Sequence, residues 1–454
     1  MHPWLENIVN LCRKRKNDNI NMALFDQDPH ASSIDLKRHC YGQFSSAFVQ
    51  ANEAMEDHSQ VEVASRKALF LGVYDGHAGF EASVFITQHL FDHLLRAVRA
   101  NENKITEPTL RDAVSATEAG FLEYVEKNYR QKNNLGKVGS CCLAGIIWKK
   151  TLHVANLGDS RAVIGTMVNN KIQAEQLTRD HNCKDEAIRK ELMSEHPDDT
   201  TIVMYEREVW RVKGIITVSR SIGDTYLKRP EFSLDESFPK FEEVPEPFIR
   251  GVLSAEPEMR SRDLTENDKF LIFASDGLWD FLSNEQAVEI VQNNSRNICG
   301  IAKRLVSTVL AQAAANRNST YNTMKNANLG RGDGNRRYFH DDISVIVVFL
   351  DKKSILRMPL HNLSYKSSSA RPTTSAFAES GLTMHGLQRL QKTIKNRFQA
   401  SSSQEGESSQ TQDPEGESSQ TQSLLASEYC DAEAAEEGVL PTGTFWLLLQ
   451  DTNQ

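Results

Sequence analysis

No apolar run in this sequence approaches the roughly 20 residues that a membrane-spanning helix needs, so a spanning protein is excluded. Cysteine is scarce and irregularly placed. The seven are Cys12, Cys40, Cys141, Cys142, Cys183, Cys299 and Cys430, and no CxxC pair occurs among them. That excludes a zinc ribbon and a CxxC redox pair, and it fits a reducing intracellular compartment, cytoplasm or nucleus. Cys141 and Cys142 lie in a strand-like run and read as small buried hydrophobes. The opening Met1-His2-Pro3-Trp4-Leu5-Glu6 has no clean apolar stretch, so a secretory signal is not expected. A basic surplus is missing as well. The 52 Lys and Arg stand against 61 Asp and Glu, and the net charge of −9 divides into −11 after Arg397 and +2 on the rest. A nearly neutral body argues against nucleic-acid binding, which depends on a strong positive field.

What is present divides into three stretches. Residues 1–40 begin with Trp4, Leu5, Ile8, Val9 and Leu11 at helical spacing and run into Arg13-Lys14-Arg15-Lys16. Such a basic amphipathic segment suits either peripheral membrane contact or targeting, or a helix docked on the body. Residues 41–351 read as the folded body. Apolar, β-branched runs recur at 68–74, 140–148, 151–157, 161–164, 269–274 and 343–350, each bounded by Gly, Asp or Asn. Helical periodicity appears over 80–100, 109–130 and 285–315. The runs at 140–147, 151–157 and 161–165 succeed one another as hairpins would, which predicts antiparallel sheets covered by helices, an α+β fold. Residues 352–454 are rich in Ser, Thr, Gln and Glu, and the segment from Glu405 to Gln412 repeats from Glu415 to Gln422. This acidic low-complexity tail is expected to be disordered, and Phe445-Trp446-Leu447-Leu448-Leu449 near its end is a short apolar knot.

Aspartates gather where the apolar runs end. Asp75, Asp159, Asp276 with Asp280, Asp341 with Asp342, and Glu56 with Asp57 all flank predicted strands. One Asp-Gly after a strand is ordinary turn chemistry. Five such clusters are harder to dismiss, because repelling carboxylates that converge need cations between them. All-oxygen donors with no Cys–His cluster favour hard ions such as Mg²⁺ or Mn²⁺.

The ordered series Met55-Glu56-Asp57, Val73-Tyr74-Asp75-Gly76-His77-Ala78-Gly79, Gly139-Ser140, Leu157-Gly158-Asp159-Ser160-Arg161-Ala162, Val218-Ser219-Arg220-Ser221-Ile222-Gly223-Asp224, Ala274-Ser275-Asp276-Gly277-Leu278-Trp279-Asp280 and Asp341-Asp342-Ile343-Ser344-Val345 resembles the metal-dependent protein phosphatase 2C family. The likeness runs from near 45 to near 350 in the family's motif order. Val49-Gln50-Ala51-Asn52, Glu195-His196-Pro197-Asp198-Asp199 and Trp210-Arg211-Val212-Lys213-Gly214 further resemble a plant subgroup, clade D.

The resemblance implies an antiparallel β-sandwich flanked on both faces by helix pairs, with a two-metal centre at one end. It implies that Glu56, Asp75 and the Gly76 carbonyl hold one Mg²⁺ or Mn²⁺ ion. Asp75, Asp276 and Asp341 would hold the other, and Asp159 and Asp280, with Asp276, match a weaker third site. The implied activity is hydrolysis of phosphoserine and phosphothreonine in protein substrates by a metal-activated water, with a monomer expected. Two divalent ions suit that chemistry, since they acidify water and neutralise the phosphoryl oxygens. The sequence holds no C-x₅-R signature of a cysteine phosphatase. His77, two residues from Asp75, is the candidate general acid; its structural alternative is a histidine that holds the turn.

Two departures matter. Asp342 stands where the family often has Asn, so a ligand role for it does not carry over. Asn52 stands four residues before Glu56, where many members have an Arg that grips the substrate phosphate; Arg220 or Lys213 are candidates to replace it. The stretch 225–260 is expected to form a flap beside the site. The rival reading is a phosphatase-fold binding module without turnover, and the presence of Asp75, Asp276 and Asp341 counts against it.

Overall fold

The computed structural model describes residues 19–63, 68–229, 232, 251–294, 298–350 and 363–367. Two six-stranded antiparallel sheets face each other. One has the order β1 (Ala31–His39), β2 (Gly42–Val49), β16 (Ile343–Leu350), β15 (Asp268–Ala274), β9 (Arg161–Val168), β10 (Lys171–Gln176). The other runs β14 (Glu258–Asp263), β8 (Thr151–Leu157), β7 (Cys142–Trp148), β4 (Ala68–Tyr74), β3 (His58–Val63), β17 (Leu363–Lys366). Two small sheets complete the set: β5 (Gly76–His77) and β13 (Ile222–Gly223) flank β6 (Gly139–Ser140), and β11 (Val203–Glu206) pairs with β12 (Val209–Val212).

The central strands are apolar on both sides because both sides are covered, and the pleat sends alternate residues to different cores. On β15, Leu271 and Phe273 enter the core between the sheets with Leu69, Leu71, Val73, Leu143 and Val348. Phe270, Ile272 and Ala274 face the other way, against Leu305, Val309 and Leu310 of α7 (Ile301–Asn316). On β4, Phe70 meets Phe91 of α2 (Glu81–Ala100) with ring centroids 5.2 Å apart. α2 packs on β3 and β4, and α3 (Glu107–Asn128) packs on β8 and β14. α7 lies over β2 and β16, and α6 (Asn284–Asn293) over β9 and β10. The result is the four-layer α+β sandwich that the resemblance implied. Burying both faces of each sheet is what makes the strand signal legible as uninterrupted apolar runs.

Three expectations change. The hairpin expected between 151–157 and 161–165 does not form: β8 pairs with β7 and β14, whereas β9 pairs with β10 and β15 in the opposite sheet. The turn at 158–160 carries the chain across the sandwich rim, and Asp159 lies in it. The helical run at 285–315 is two helices, α6 and α7. Two strands also fall outside the stretch 41–351, since β1 pairs with β2 and β17 pairs with β3. The amphipathic segment at 4–16, the acidic repeats and the terminal apolar knot lie outside the described residues, as does most of the expected flap at 225–260.

Candidate metal centre

Each predicted carboxylate stands where a buried strand meets the rim. Asp75 links β4 to β5, and Asp276 opens the short helix α5 (Asp276–Trp279) directly after β15. Asp341 and Asp342 precede β16, and Asp280 follows α5. These strand ends share one rim, so residues hundreds of positions apart come together. The Asp276 backbone N–H points at Asp75 Oδ2 over 3.4 Å. The Gly76 N–H donates to the Glu56 carbonyl at 3.2 Å, and a Cβ on Gly76 would stand 2.5 Å from that oxygen. Only glycine allows the segments that carry Glu56 and Asp75 to lie so close.

The six predicted site carboxylates act on one another. Burial raises Asp75 well above the usual carboxylate range, and Asp57, Asp159 and Asp341 raise it further. Asp276 is raised in the same way, by burial and then by Asp75, Asp159, Asp341 and Asp280. Glu56 is pushed up to about 7 by burial and by Asp342 and Asp341. Asp341 is raised by burial, although Arg337 pulls against the shift. Asp280 is raised too, chiefly by burial, with Lys184 opposing. A group of acids held this close is unfavourable unless cations join it. Asp276 Oδ1 is also buried with no hydrogen-bond partner among the described residues, so it has an acceptor to spare. The donor set is hard oxygen and fits Mg²⁺ or Mn²⁺.

Asp159 brings an unexpected neighbour. Cys141 Sγ donates to Asp159 Oδ1 over 3.3 Å, and ligand atoms of Asp75, Cys141 and Asp159 lie within 4.8 Å of one another. Cys141 is buried as expected, yet it is also part of the rim of the site. Asn182 Nδ2 donates to the other Asp159 oxygen at 2.6 Å.

Asp342 has a different task from Asp341. Its Oδ1 accepts from the backbone N–H groups of Ala51 (2.6 Å) and Asn52 (3.0 Å), and its Oδ2 from that of Glu56 (2.7 Å). The loop that carries Glu56 is therefore wrapped around the Asp342 carboxylate. Asp57, next to Glu56, is taken up by Ser275 Oγ at 2.6 Å.

His77 has a partner that sequence reasoning did not assign. Its Nε2 is 2.8 Å from Asp224 Oδ2, and Ser221 Oγ donates to the same oxygen at 2.6 Å. The small sheet β13-β6-β5 exists around this pair: His77 lies opposite Gly139, and Gly139 opposite Gly223. A Cβ on Gly139 would fall 2.1 Å from Asp224 Oδ2 and 2.4 Å from His77 Nε2, so a bare glycine clears the space for the contact. Burial lowers the pKa of His77, but Asp224, with Glu56 and Asp159, more than offsets it and the net shift is upward. Asp224 was visible in sequence only as the end of a motif. Its 147-residue separation from His77 gave no sign of the contact.

Both candidates for the phosphate grip are occupied elsewhere. Lys213 Nζ is buried against Asp199 Oδ2 at 2.5 Å, and Arg220 binds Glu191 at 2.7 Å and the Glu256 carbonyl at 3.0 Å.

Residues 39–323 match the family described as protein phosphatase 2C. A rice (Oryza sativa subsp. japonica) relative, "Probable protein phosphatase 2C 43", is 49% identical over 394 residues, covering 84% of this chain and 97% of its own. An Arabidopsis thaliana relative, "Probable protein phosphatase 2C 68", is 52% identical over 353 residues, covering 76% of this chain and 88% of its own. The solved serine-threonine phosphatase 2C from Toxoplasma gondii is similar in fold, with a TM-score of 0.51 at 19% identity over 71% of this chain and 99% of that one.

Proposed function

Because the chain belongs to the protein phosphatase 2C family and is a metal-dependent protein serine/threonine phosphatase, we propose that its reaction is carried by the rim carboxylates together with the His77–Asp224 pair. The observation that carries this reading is the crowded carboxylate group with an unpartnered Asp276 oxygen, set beside a histidine tied to a buried aspartate.

Glu56, Asp75 and the Gly76 carbonyl are assigned to one cation, and Asp75, Asp276 and Asp341 to the second. Asp159 and Asp280 are assigned, with Asp276, to a weaker third. Bound cations supply what carboxylates cannot: positive charge for the phosphoryl oxygens and acidification of water near neutral pH. The chain does the rest. Asp342 fixes the Glu56 loop, so the ligand does not have to be ordered when an ion arrives. His77 donates a proton to the departing serine or threonine oxygen, which is too basic to leave as an alkoxide. With Nε2 turned to Asp224, Nδ1 is the nitrogen assigned to that transfer. Asp224 thus fixes the ring's orientation, and Ser221 fixes Asp224.

Phosphorylated proteins are the substrate class of the family. A reducing cell interior is in keeping with the free cysteines Cys40, Cys141, Cys142, Cys183 and Cys299. We take the catalytic body to extend beyond 41–351, to include β1 and β17, because both complete sheets that carry site residues.

The proton-transfer assignment is tested with two leaving groups. On a phosphothreonine peptide, His77→Ala should lower kcat about a hundredfold and Asp224→Asn about tenfold. On p-nitrophenyl phosphate, whose phenolate leaves without a proton, both variants should stay within about threefold of wild type. Equal losses on the two substrates would make the pair a structural contact only.

A further inference from the structure

We propose that Arg337 binds the phosphate group of the substrate, filling from the far end of the chain the role for which Asn52 has no charge. The inference rests on the assignment of Asp341 to the metal centre.

A phosphate monoester brings negative charge to a rim already crowded with carboxylates, so a cation of the chain beside that rim has a clear use. Positions 52 and 337 meet on a single carboxylate. Asn52 Nδ2 donates to Asp341 Oδ1 at 3.1 Å, and the Arg337 guanidinium pairs with Asp341 Oδ2. Their backbones are tied together as well: the Gly330 N–H donates to the Ala51 carbonyl at 2.8 Å, and the Arg337 N–H to the Gly330 carbonyl at 3.3 Å. A guanidinium at 337 therefore works in the space beside Asn52.

Arg337 also has a rigid base and an open end. It lies on the one-turn helix α9 (Arg336–Phe339). The neighbouring Arg336 is wholly buried and grips both Asp28 oxygens at 2.8 and 2.9 Å, which pins that helix to the body. The Arg337 side chain is 32% exposed, so it is open to solvent in part, as a substrate contact must be. A guanidinium has five donors in a plane. One edge on Asp341 leaves others for two phosphate oxygens, the arrangement that suits a phosphate best. Lys213 and Arg220, by contrast, are committed to Asp199 and Glu191.

The test compares Arg337→Ala and Arg337→Lys with wild type in three measurements. These are KM on a phosphothreonine peptide, the inhibition constant of inorganic phosphate, and Mn²⁺ binding by calorimetry without substrate. Arg337→Ala should raise both KM and the phosphate constant about tenfold, with a smaller change in kcat. Arg337→Lys should recover only part of the loss, because an ammonium cannot make two parallel bonds. Mn²⁺ affinity should not weaken, since the variant removes a cation that competes for Asp341. An unchanged phosphate constant in Arg337→Ala overturns the proposal. So does a fall in Mn²⁺ affinity that accounts for the rise in KM, which would make Arg337 a support for Asp341 alone. Failure of the underlying assignment is seen separately, as an Asp341→Asn protein that binds Mn²⁺ as wild type does.

Discussion

Asp28 and Asp75 are both carboxylates held by the folded body, and they have opposite surroundings. Asp28 is buried against Arg336, each of its oxygens bonded to the guanidinium. Asp75 has other carboxylates for neighbours, and among the described residues neither it nor Glu56 or Asp276 makes an ion pair. The first arrangement is complete within the chain. The second is complete only when something positive is added from outside. A buried charge with its counter-charge holds structure together, whereas acids gathered without one mark where the molecule gives up stability for chemistry.

The largest effect is expected where that difference is sharpest. Asp75→Asn should reduce phosphatase activity about a thousandfold at saturating Mn²⁺ if Asp75 is the shared cation ligand we propose, a role worth several kcal/mol to the reaction. The same change should leave far-UV circular dichroism intact and raise the melting temperature of the chelated protein, because one repelling charge is gone. Near-normal turnover in this variant would remove Asp75 from the centre.

Asp28→Ala should do the reverse. It leaves Arg336 buried without a counter-charge, and a loss of about 3–5 kcal/mol in unfolding free energy is expected by denaturant titration. Below the unfolding transition, kcat per folded molecule should be close to wild type, while KM should rise because α9, which carries Arg337, loses its anchor. A loss below about 1 kcal/mol would mean that water reaches Arg336 and that the pair matters little.

The smallest of the three effects is a pH dependence. A carboxylate whose folded pKa lies above its unfolded value binds more protons when folded, so stability falls as pH rises between the two values. Glu56, at about 7 in the fold against 4.5 for the free group, places this window between about pH 4.5 and 7. In EDTA, unfolding free energy should fall across that window by up to about 3 kcal/mol from Glu56. Saturating Mn²⁺ should flatten the slope, because a bound cation favours the ionised form. The same slope with and without Mn²⁺ would show that the acids do not share a cation.

Much of this was readable from the chain alone. The strands at 68–74, 270–274 and 343–350 are almost wholly apolar because they are covered on both faces, and turn residues mark their ends. The carboxylates at those ends could be picked out for the same reason: a charged residue directly after a buried strand has to emerge at a rim. Local sequence carries this information because burial alternates with a fixed period and turns have characteristic residues.

The partners of those residues were decided only by the tertiary structure. Whether 151–157 and 161–165 pair with each other or lie in opposite sheets depends on what β14 and β15 offer them, and no short-range pattern states it. The split between Asp341, which meets Asn52 and Arg337, and Asp342, which holds the Glu56 loop, turns on which way two adjacent side chains point when β16 begins. His77 meets Asp224, and Asp341 meets both Asn52 and Arg337, because the small sheet and α9 bring distant segments to one rim. Composition and period set which residues can be buried and where strands end, but a hydrogen bond needs two groups in the right place. That second condition is met only by the packed fold.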